Sequence, residues 1–247
     1  MKKLNSLSIF LPAYNEAANI SEAIYQAIGV AEKISEKYEV LVINDGSQDA
    51  TKFIAERVAK KEHHVRVITQ RNVGYGGALK RGFEESQYEW IFFTDSDLQF
   101  DMNELQKYVK YTTQNQMILG YRKTRAEGLK RKLLANALKV WNLLLLNFPK
   151  DIKDIDCAFK LIHSQVVKTI SPLHSDGAMI STELLLKATK QGFSYKQVGV
   201  KHFIRRAGNP TGSSIKVIFK AIKDTFSLRK MIRTEKKQYR YLPTFKS

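Results

Sequence analysis

Short apolar runs that stop at polar clusters recur along the first hundred residues. Leu7-Ser8-Ile9-Phe10-Leu11 is closed by Pro12, and Tyr38 to Ile43 ends in Asn44-Asp45-Gly46-Ser47. Val65 to Thr69 leads to the glycine-rich stretch Asn72 to Gly77, and Trp90 to Thr94 ends at Asp95. Runs of this length bounded by turn residues predict buried strands. Between them the period changes. Ile20, Ala23, Ile24, Ala27 and Ile28 share one helical face after Asn15-Glu16. Ala50 to Lys60 reads as a second helix that Ser47 or Asp49 can cap, and Ala78 to Glu85 as a third. Strand alternating with helix predicts an α/β fold with a mostly parallel sheet flanked by helices. Ligands of such sheets bind at the carboxyl ends of the strands, and every polar cluster named above falls there.

Beyond residue 100 the alternation loosens. Asn103 to Gln114 predicts a helix, Met117 to Tyr121 a strand, Leu129 to Leu146 a long helix, and Phe159 to Ile162 a strand. Ile180 to Gln191 and Tyr195 to Val200 follow as helix and strand. Ile215 to Arg233 has a basic amphipathic pattern, with Ile215, Ile218, Phe219, Ile222, Phe226 and Leu228 among its apolar positions. The chain therefore divides into a catalytic-sized unit over residues 1–215 and a basic helix and tail over 216–247.

Charge changes the picture more than composition does. The 41 Lys+Arg against 24 Asp+Glu leave a formal net charge of +17, which favours anionic partners: phosphorylated small molecules, an acidic membrane surface or nucleic acid. The single cysteine, Cys157, can form neither an internal disulfide nor a cysteine-based zinc cluster. The basic N-terminus leads straight into a strand-like run, so no signal peptide is expected. The most apolar run, Trp141 to Phe148, is short of the roughly 20 residues a membrane span needs. A soluble or peripheral protein is the expectation.

Candidate chemistry lies in the strand-end clusters. Asp95-Ser96-Asp97-Leu98-Gln99 presents two carboxylates and an amide at alternate positions, oxygen ligands suited to Mg²⁺ or Mn²⁺. In Pro12-Ala13-Tyr14-Asn15-Glu16, Tyr14 can pack on a base and Glu16 can accept from a base or ribose, as can Asp45 after the second strand. Each cluster alone is also an ordinary turn or helix start; their joint occurrence at successive strand ends is what points to a site. The glycines of Asn72 to Gly77 favour close packing over phosphate binding, because no lysine-serine pair follows them.

Taken as a set, Leu11-Pro12-Ala13-Tyr14-Asn15-Glu16, Val42-Ile43-Asn44-Asp45-Gly46-Ser47 and Asp95-Ser96-Asp97-Leu98-Gln99 resemble the family 2 glycosyltransferases of the GT-A fold. The Leu-Gln pair after the second aspartate is similar to the branch containing dolichyl-phosphate mannose synthase and undecaprenyl-phosphate sugar transferases. The resemblance covers about residues 7 to 215. It implies a Rossmann-like GT-A domain with a helical C-terminal extension, and inverting transfer of a hexose from a UDP- or GDP-linked donor to a polyprenyl phosphate. Pro12, Tyr14, Glu16, Asp45 and Asp95 would hold the nucleotide-sugar, and Asp95, Asp97 and Gln99 the metal. Arg122 and Arg131 match the arginines that contact the acceptor phosphate, whereas Arg125 fits a solvated basic face.

Asp154-Ile155-Asp156-Cys157-Ala158-Phe159-Lys160 resembles the family's Asp-x-x-Ser-Gly-Phe-Arg segment, with Cys-Ala for Ser-Gly and Lys160 for Arg. Asp156 would act as general base on a hydroxyl acceptor; a phosphate is already ionised and needs none. Glu183 falls at a family-like position that reads as structural. Arg205 and Arg206 resemble the loop that closes over the donor diphosphate, though the insertion Asn209-Pro210-Thr211-Gly212 departs from the pattern. His202, just before that loop, is a candidate phosphate contact or a packing residue. The basic C-terminal helix would either lie on an anionic membrane, at the cytoplasmic face, or pack on the core.

Three rivals stand beside this expectation. A family 2 enzyme acting on a saccharide hydroxyl would use Asp156 or Asp154 as base; such enzymes often carry an Asp in a Glu-Asp motif and a downstream Gln-x-x-Arg-Trp, and neither is present. A nucleic-acid-binding module fits the charge but not the acidic clusters, which would repel a phosphate backbone. A catalytically dead scaffold does not need the intact Asp95 and Asp97.

Overall fold

The computed structural model describes residues 3–123, 145–205 and 224–230. Seven strands build one sheet: β1 (Leu4–Ala13), β2 (Ser35–Asp45), β3 (Val65–Gln70), β4 (Trp90–Thr94), β5 (Met117–Arg122), β6 (Phe159–His163) and β7 (Tyr195–Val200), in the order β3-β2-β1-β4-β6-β5-β7. Only β6 runs against its neighbours β4 and β5; the remaining pairs are parallel.

The apolar runs are continuous because both faces of the sheet are covered. Leu7, Ile9 and Leu11 of β1 and Val40 and Val42 of β2 point into a core shared with α1 (Ile20–Ile34) and α2 (Thr51–Ala59). Their alternates, Phe10, Leu41 and Ile43, enter a second core with α3 (Tyr75–Glu85), α4 (Ser164–Ile170) and α5 (Ile180–Lys190). In that second core Phe10 stacks on Phe93 with ring centroids 5.3 Å apart and meets Phe83 edge-on at 5.2 Å. Gly82 makes room for this: a Cβ there would lie 2.4 Å from the Phe10 ring.

The segment expected as one helix over Asn103 to Gln114 is instead two 3₁₀ turns, Met102–Lys107 and Val109–Tyr111. Met102, Leu105 and Tyr108 recur every third residue and are all buried, which suits the tighter turn as well as an α-helix. The Asp101 side chain opens it by accepting from the Asn103 amide. α4 was not foreseen; it is a single short element entered through His163, whose ring accepts from Gln165 N. The expected helix Leu129 to Leu146 and the 216–247 extension lie outside the described residues, apart from helical residues 145–146 and 224–230.

Candidate functional site

The carboxyl ends of β1, β2 and β4 carry three loops that are tied to one another by side chains. Asn15 N donates to Ser47 Oγ at 3.0 Å, Glu16 N to Thr51 Oγ1 at 2.8 Å and Ala17 N to Asp49 Oδ2 at 3.1 Å. Gln48 N returns a bond to Asn15 Oδ1 at 2.8 Å. The loop after β1 is thereby knitted to the loop after β2. Asn15 takes a left-handed conformation (φ 56°), which asparagine tolerates better than most residues. The third loop is fixed to the first by the buried Ser96 hydroxyl, which donates to the Pro12 carbonyl at 2.7 Å. Pro12 itself is buried, and Tyr14 stands exposed at the rim.

In the Asp95-Ser96-Asp97-Leu98-Gln99 turn, Leu98 also sits at positive φ (59°). For a leucine this conformation costs on the order of 1–2 kcal/mol, and strain of this kind gathers at functional turns. The turn brings Gln99 N to Asp97 Oδ1 at 3.1 Å. The Gln99 amide nitrogen donates to the Phe203 carbonyl at 2.9 Å, beside the bridge between Phe100 and His202. His202 is buried with its ring edge-on to Phe100, a packing position. These contacts carry the chain after β7 across the site.

That crossing delivers Arg205. Its Nη2 donates to Asp97 Oδ2 at 2.6 Å, and its Nη1 reaches Glu16 Oε1 at 3.4 Å. Glu16 also accepts from Asn19 Nδ2 at 2.7 Å. Burial raises the Glu16 pKa, with Asn19 and Arg205 opposing and Asp97 and Asp49 adding to the rise. Asp95 is pushed up to about 7 by burial and by the neighbouring Asp97, while the Tyr75 hydroxyl bonded to it, Arg205 and Lys160 pull it down. Glu16, Asp95, Asp97 and Arg205 thus form one charged cluster, with Tyr75 beside it.

Two hard carboxylates that repel each other, with a cation already drawn to one of them, are the donor chemistry a divalent metal prefers. Among the described residues no set of three or more His, Cys, Asp and Glu side chains forms a metal cage. A cation here would take its remaining ligands from a bound phosphate or from water, which is the habit of Mg²⁺.

The other expected residues are placed differently. Asp45 is buried; its Oδ1 accepts from Gln70 Nε2 at 2.8 Å and Val73 N at 3.0 Å, and its Oδ2 from Gly74 N at 2.9 Å. It therefore organises the glycine stretch, in which Gly74 has φ 88°. Arg122 donates to Asp154 through Nε at 2.7 Å and Nη2 at 2.8 Å, a bidentate, largely buried pair. Asp156 is exposed in the turn before β6 and is felt, together with Asp95, by the Tyr75 hydroxyl. Glu183 is fully buried and accepts from His174 N at 2.9 Å and Ser175 N at 2.8 Å, a structural use. Arg131 and Arg206 lie outside the described residues.

Sequence reading passed over Ser96, Tyr75 and the Asp154 partnership with Arg122. Only Asp154 left a signal, being one of the paired aspartates of its segment.

Comparison with known proteins fits this arrangement. The chain is 24% identical over 218 residues to the undecaprenyl-phosphate 4-deoxy-4-formamido-L-arabinose transferase of Pectobacterium atrosepticum, covering 87% of this chain and 65% of that protein. Over 219 residues it is 26% identical to the dolichyl-phosphate beta-glucosyltransferase of Saccharomyces cerevisiae, covering 78% of this chain and 66% of that one. It is 28% identical over 195 residues to glycosyltransferase AglD of Haloferax volcanii, covering 76% and 31%. The chain thus spans at most about two thirds of the length of these curated relatives. Among solved structures, glucosyl-3-phosphoglycerate synthase of Mycobacterium tuberculosis, with Mn²⁺, UDP and glucosyl-3-phosphoglycerate, superposes with a TM-score of 0.71 at 18% identity, covering 91% of this chain and 80% of that one. That likeness establishes the fold, a GT-A arrangement. The sequence profile of glycosyl transferase family 2 matches residues 8–170, from β1 to the last residue of α4. On that match the chain belongs to glycosyl transferase family 2.

Proposed function

We propose that this chain transfers a hexose, with inversion, from a UDP- or GDP-linked sugar to a polyprenyl phosphate. The observation that carries the reading is the convergence of Glu16, Asp95, Asp97 and Arg205 at the carboxyl ends of β1 and β4. The names of the relatives support the acceptor class, since undecaprenyl and dolichyl phosphate are both polyprenyl phosphates.

In this reading Pro12, Tyr14, Glu16 and Asp45 border the nucleoside pocket. Asp45 would act through the glycine stretch it holds as well as through its remaining lone pairs. Asp95 and Asp97 would hold Mg²⁺ or Mn²⁺, with Gln99 beside them. The metal, when bound, supplies positive charge against the donor diphosphate. Arg205, released from Asp97, and Arg206 would add charge where the leaving nucleotide becomes more negative. Arg122 and Arg131 would hold the acceptor phosphate. Asp154 takes Nε and Nη2 of Arg122, so the phosphate would be met through Nη1. The acceptor oxygen then forms a bond to the anomeric carbon as the carbon–oxygen bond to the diphosphate breaks, from opposite faces. An ionised phosphate needs no proton removed, so Asp156 would orient rather than deprotonate.

Residues 1–215 would form the catalytic unit. The basic 216–247 segment would rest on an anionic, cytoplasm-facing membrane surface where the acceptor resides. Among the described residues no helix is long and apolar enough to cross a membrane.

The test is incubation of purified protein with UDP- and GDP-sugars, Mn²⁺ or Mg²⁺, and undecaprenyl or dolichyl phosphate, with Asp97→Ala as control. Metal-dependent transfer to the lipid, lost in the variant, is the expected result. Donor binding without any lipid-linked product would move the acceptor to a saccharide hydroxyl, with Asp156 as its base. No nucleotide-sugar binding in the presence of metal would overturn the reading.

A further inference from the structure

Beneath the acidic edge lies a lysine that none of these roles uses. Lys160, on β6 opposite Phe93 of β4, is completely buried. Its Nζ donates to the Ile155 carbonyl at 3.1 Å and to the Cys157 carbonyl, and lies 5.6 Å from the centroid of the Phe93 ring. The two carbonyls flank Asp156 in the sequence. The same turn carries Asp154, the partner of Arg122. One ammonium group thus grips, from below, the turn that presents an exposed carboxylate beside Tyr75 and Asp95 and holds an arginine on its other side.

An ammonium removed from water is expensive, and a strand interior between Phe159 and Leu161 would be filled more cheaply by an aliphatic side chain. The cost is offset here by the two carbonyls and by the nearby carboxylates of Asp154 and Asp156, which oppose the downward push of burial on the Lys160 pKa. The arginine of the family pattern would bring the same charge and more donors to this place.

We propose that Lys160 is a positioning residue: by tying down the carbonyls on both sides of Asp156 it fixes where Asp156 and the Asp154–Arg122 pair stand relative to Asp95. This inference rests on the transferase reading for its kinetic consequence but not for its structural one. The nucleoside side of the site, on β1 and β2, is reached by none of the Lys160 contacts above; its charge does oppose the upward shift of Asp95, so donor binding is compared at saturating metal, where Asp95 is held ionised. Loosening the turn should therefore slow transfer and weaken acceptor use while leaving donor binding intact.

The experiment compares Lys160→Met, which keeps the length and removes the charge, with Lys160→Arg, which keeps the charge. Two readouts are taken: hydrogen exchange of peptides spanning residues 153–158, and steady-state kinetics with the donor and acceptor varied separately. In Lys160→Met the turn should exchange faster than in the parent protein, and kcat should fall about 100-fold, the usual scale for a displaced catalytic constellation. The donor KM should stay within about threefold of the parent value, as expected when only transition-state geometry is lost. Lys160→Arg should restore both the protection and most of kcat. If Lys160→Met does not fold, Lys160→Gln, which loses the charge but keeps an amide NH2, takes its place and should loosen the same turn. Unchanged exchange at 153–158 in the charge-free variant overturns the proposal whatever the activity. So does a rise in donor KM that matches the loss of kcat, because a general structural defect predicts that. If the parent protein transfers no sugar at all, the transferase reading fails, and hydrogen exchange alone still decides the role of Lys160.

Discussion

Arg205 donates to Asp97 at 2.6 Å across 108 positions of sequence, and the same guanidinium reaches Glu16 at 3.4 Å. A side chain thus supplies the positive charge that the acidic cluster requires, at the place proposed for a metal. The two cations compete for the same oxygens. Replacing Arg205 with alanine should tighten Mn²⁺ binding to the nucleotide-free protein by roughly 3- to 10-fold, the scale of one partly screened charge contact. The same substitution should lower kcat by about 10²-fold through loss of charge against the leaving diphosphate. Mn²⁺ binding followed by electron paramagnetic resonance, alongside turnover, checks both halves. A variant that binds the free metal more weakly than the parent would show that Arg205 supports the cation rather than standing in for it.

Arg122 and Asp154 make another close ion pair, and its arginine is more deeply buried than Arg205. Burial lowers and Asp154 raises the Arg122 pKa, with the net shift upward; a guanidinium stays charged even when its partner is neutralised, because it does not deprotonate in proteins. Asp154→Asn would leave that charge with a neutral neighbour in a place with little water. Loss of one partner of a buried pair costs about 3–5 kcal/mol, and urea unfolding of the variant should show a destabilisation of that order. Arg122→Lys should recover little, because a single ammonium cannot make the parallel pair of bonds that Nε and Nη2 make now. Equal stability of the parent and Asp154→Asn would mean that the pair is replaceable and that Arg122 is held by something else.

The strands were legible because their residues answer to local rules. Leu7 to Leu11 and Trp90 to Phe93 are buried on both faces, so their apolar runs have one economical reading. Asn103 to Gln114 misled because spacing by three serves α and 3₁₀ turns alike, and only tertiary packing separates them. In the site, the strand-end clusters could be seen in advance because each is contiguous. Their partners could not. That Asp45 would hold the Val73 and Gly74 amides, or that Lys160 would sit under the Asp156 turn, depends on which strands lie side by side. β6 inserts between β4 and β5 against the sequence order, and periodicity carries no trace of such an insertion.

The glycines give a sharper test of what the sequence suggested about packing. A Cβ on Gly76 would come within 2.5 Å of the Ser175 and Asp176 backbone, and Gly76 N donates to the Asp176 carbonyl at 3.0 Å. Backbone cannot swing aside as a side chain can, so Gly76→Ala should destabilise by about 1–3 kcal/mol, the range for overpacked sites. Gly29, inside α1, has nothing within 4 Å of the place a Cβ would take. Gly29→Ala should instead stabilise by about 0.5–1 kcal/mol, from the better helix propensity of alanine. Thermal unfolding of the two variants should move in opposite directions. An unchanged or higher unfolding temperature for Gly76→Ala would mean that the close approach of α3 to the Ser175–Asp176 backbone is not rigid.

Cys157 offers a pH test that is independent of any ligand. Burial pushes its thiol up to about 12, with Asp154 and Asp95 adding to the rise and Lys160 and Arg122 opposing it. In the unfolded chain the thiol would ionise near 9, the ordinary value. The folded state therefore keeps a proton that the unfolded state gives up, and between pH 9 and 12 the unfolded state binds fewer protons. Stability is full below pH 9 and should fall as the pH rises through that window, with a limiting slope of about 1.4 kcal/mol per pH unit from this group. Cys157→Ser, which carries no group that ionises there, should flatten the slope. The same burial should leave the native thiol unreactive toward a disulfide reagent at pH 8, since the thiolate is the attacking species. Rapid labelling of the folded protein at that pH would show that the turn under Asp156 opens, and that the Lys160 grip on its carbonyls is intermittent.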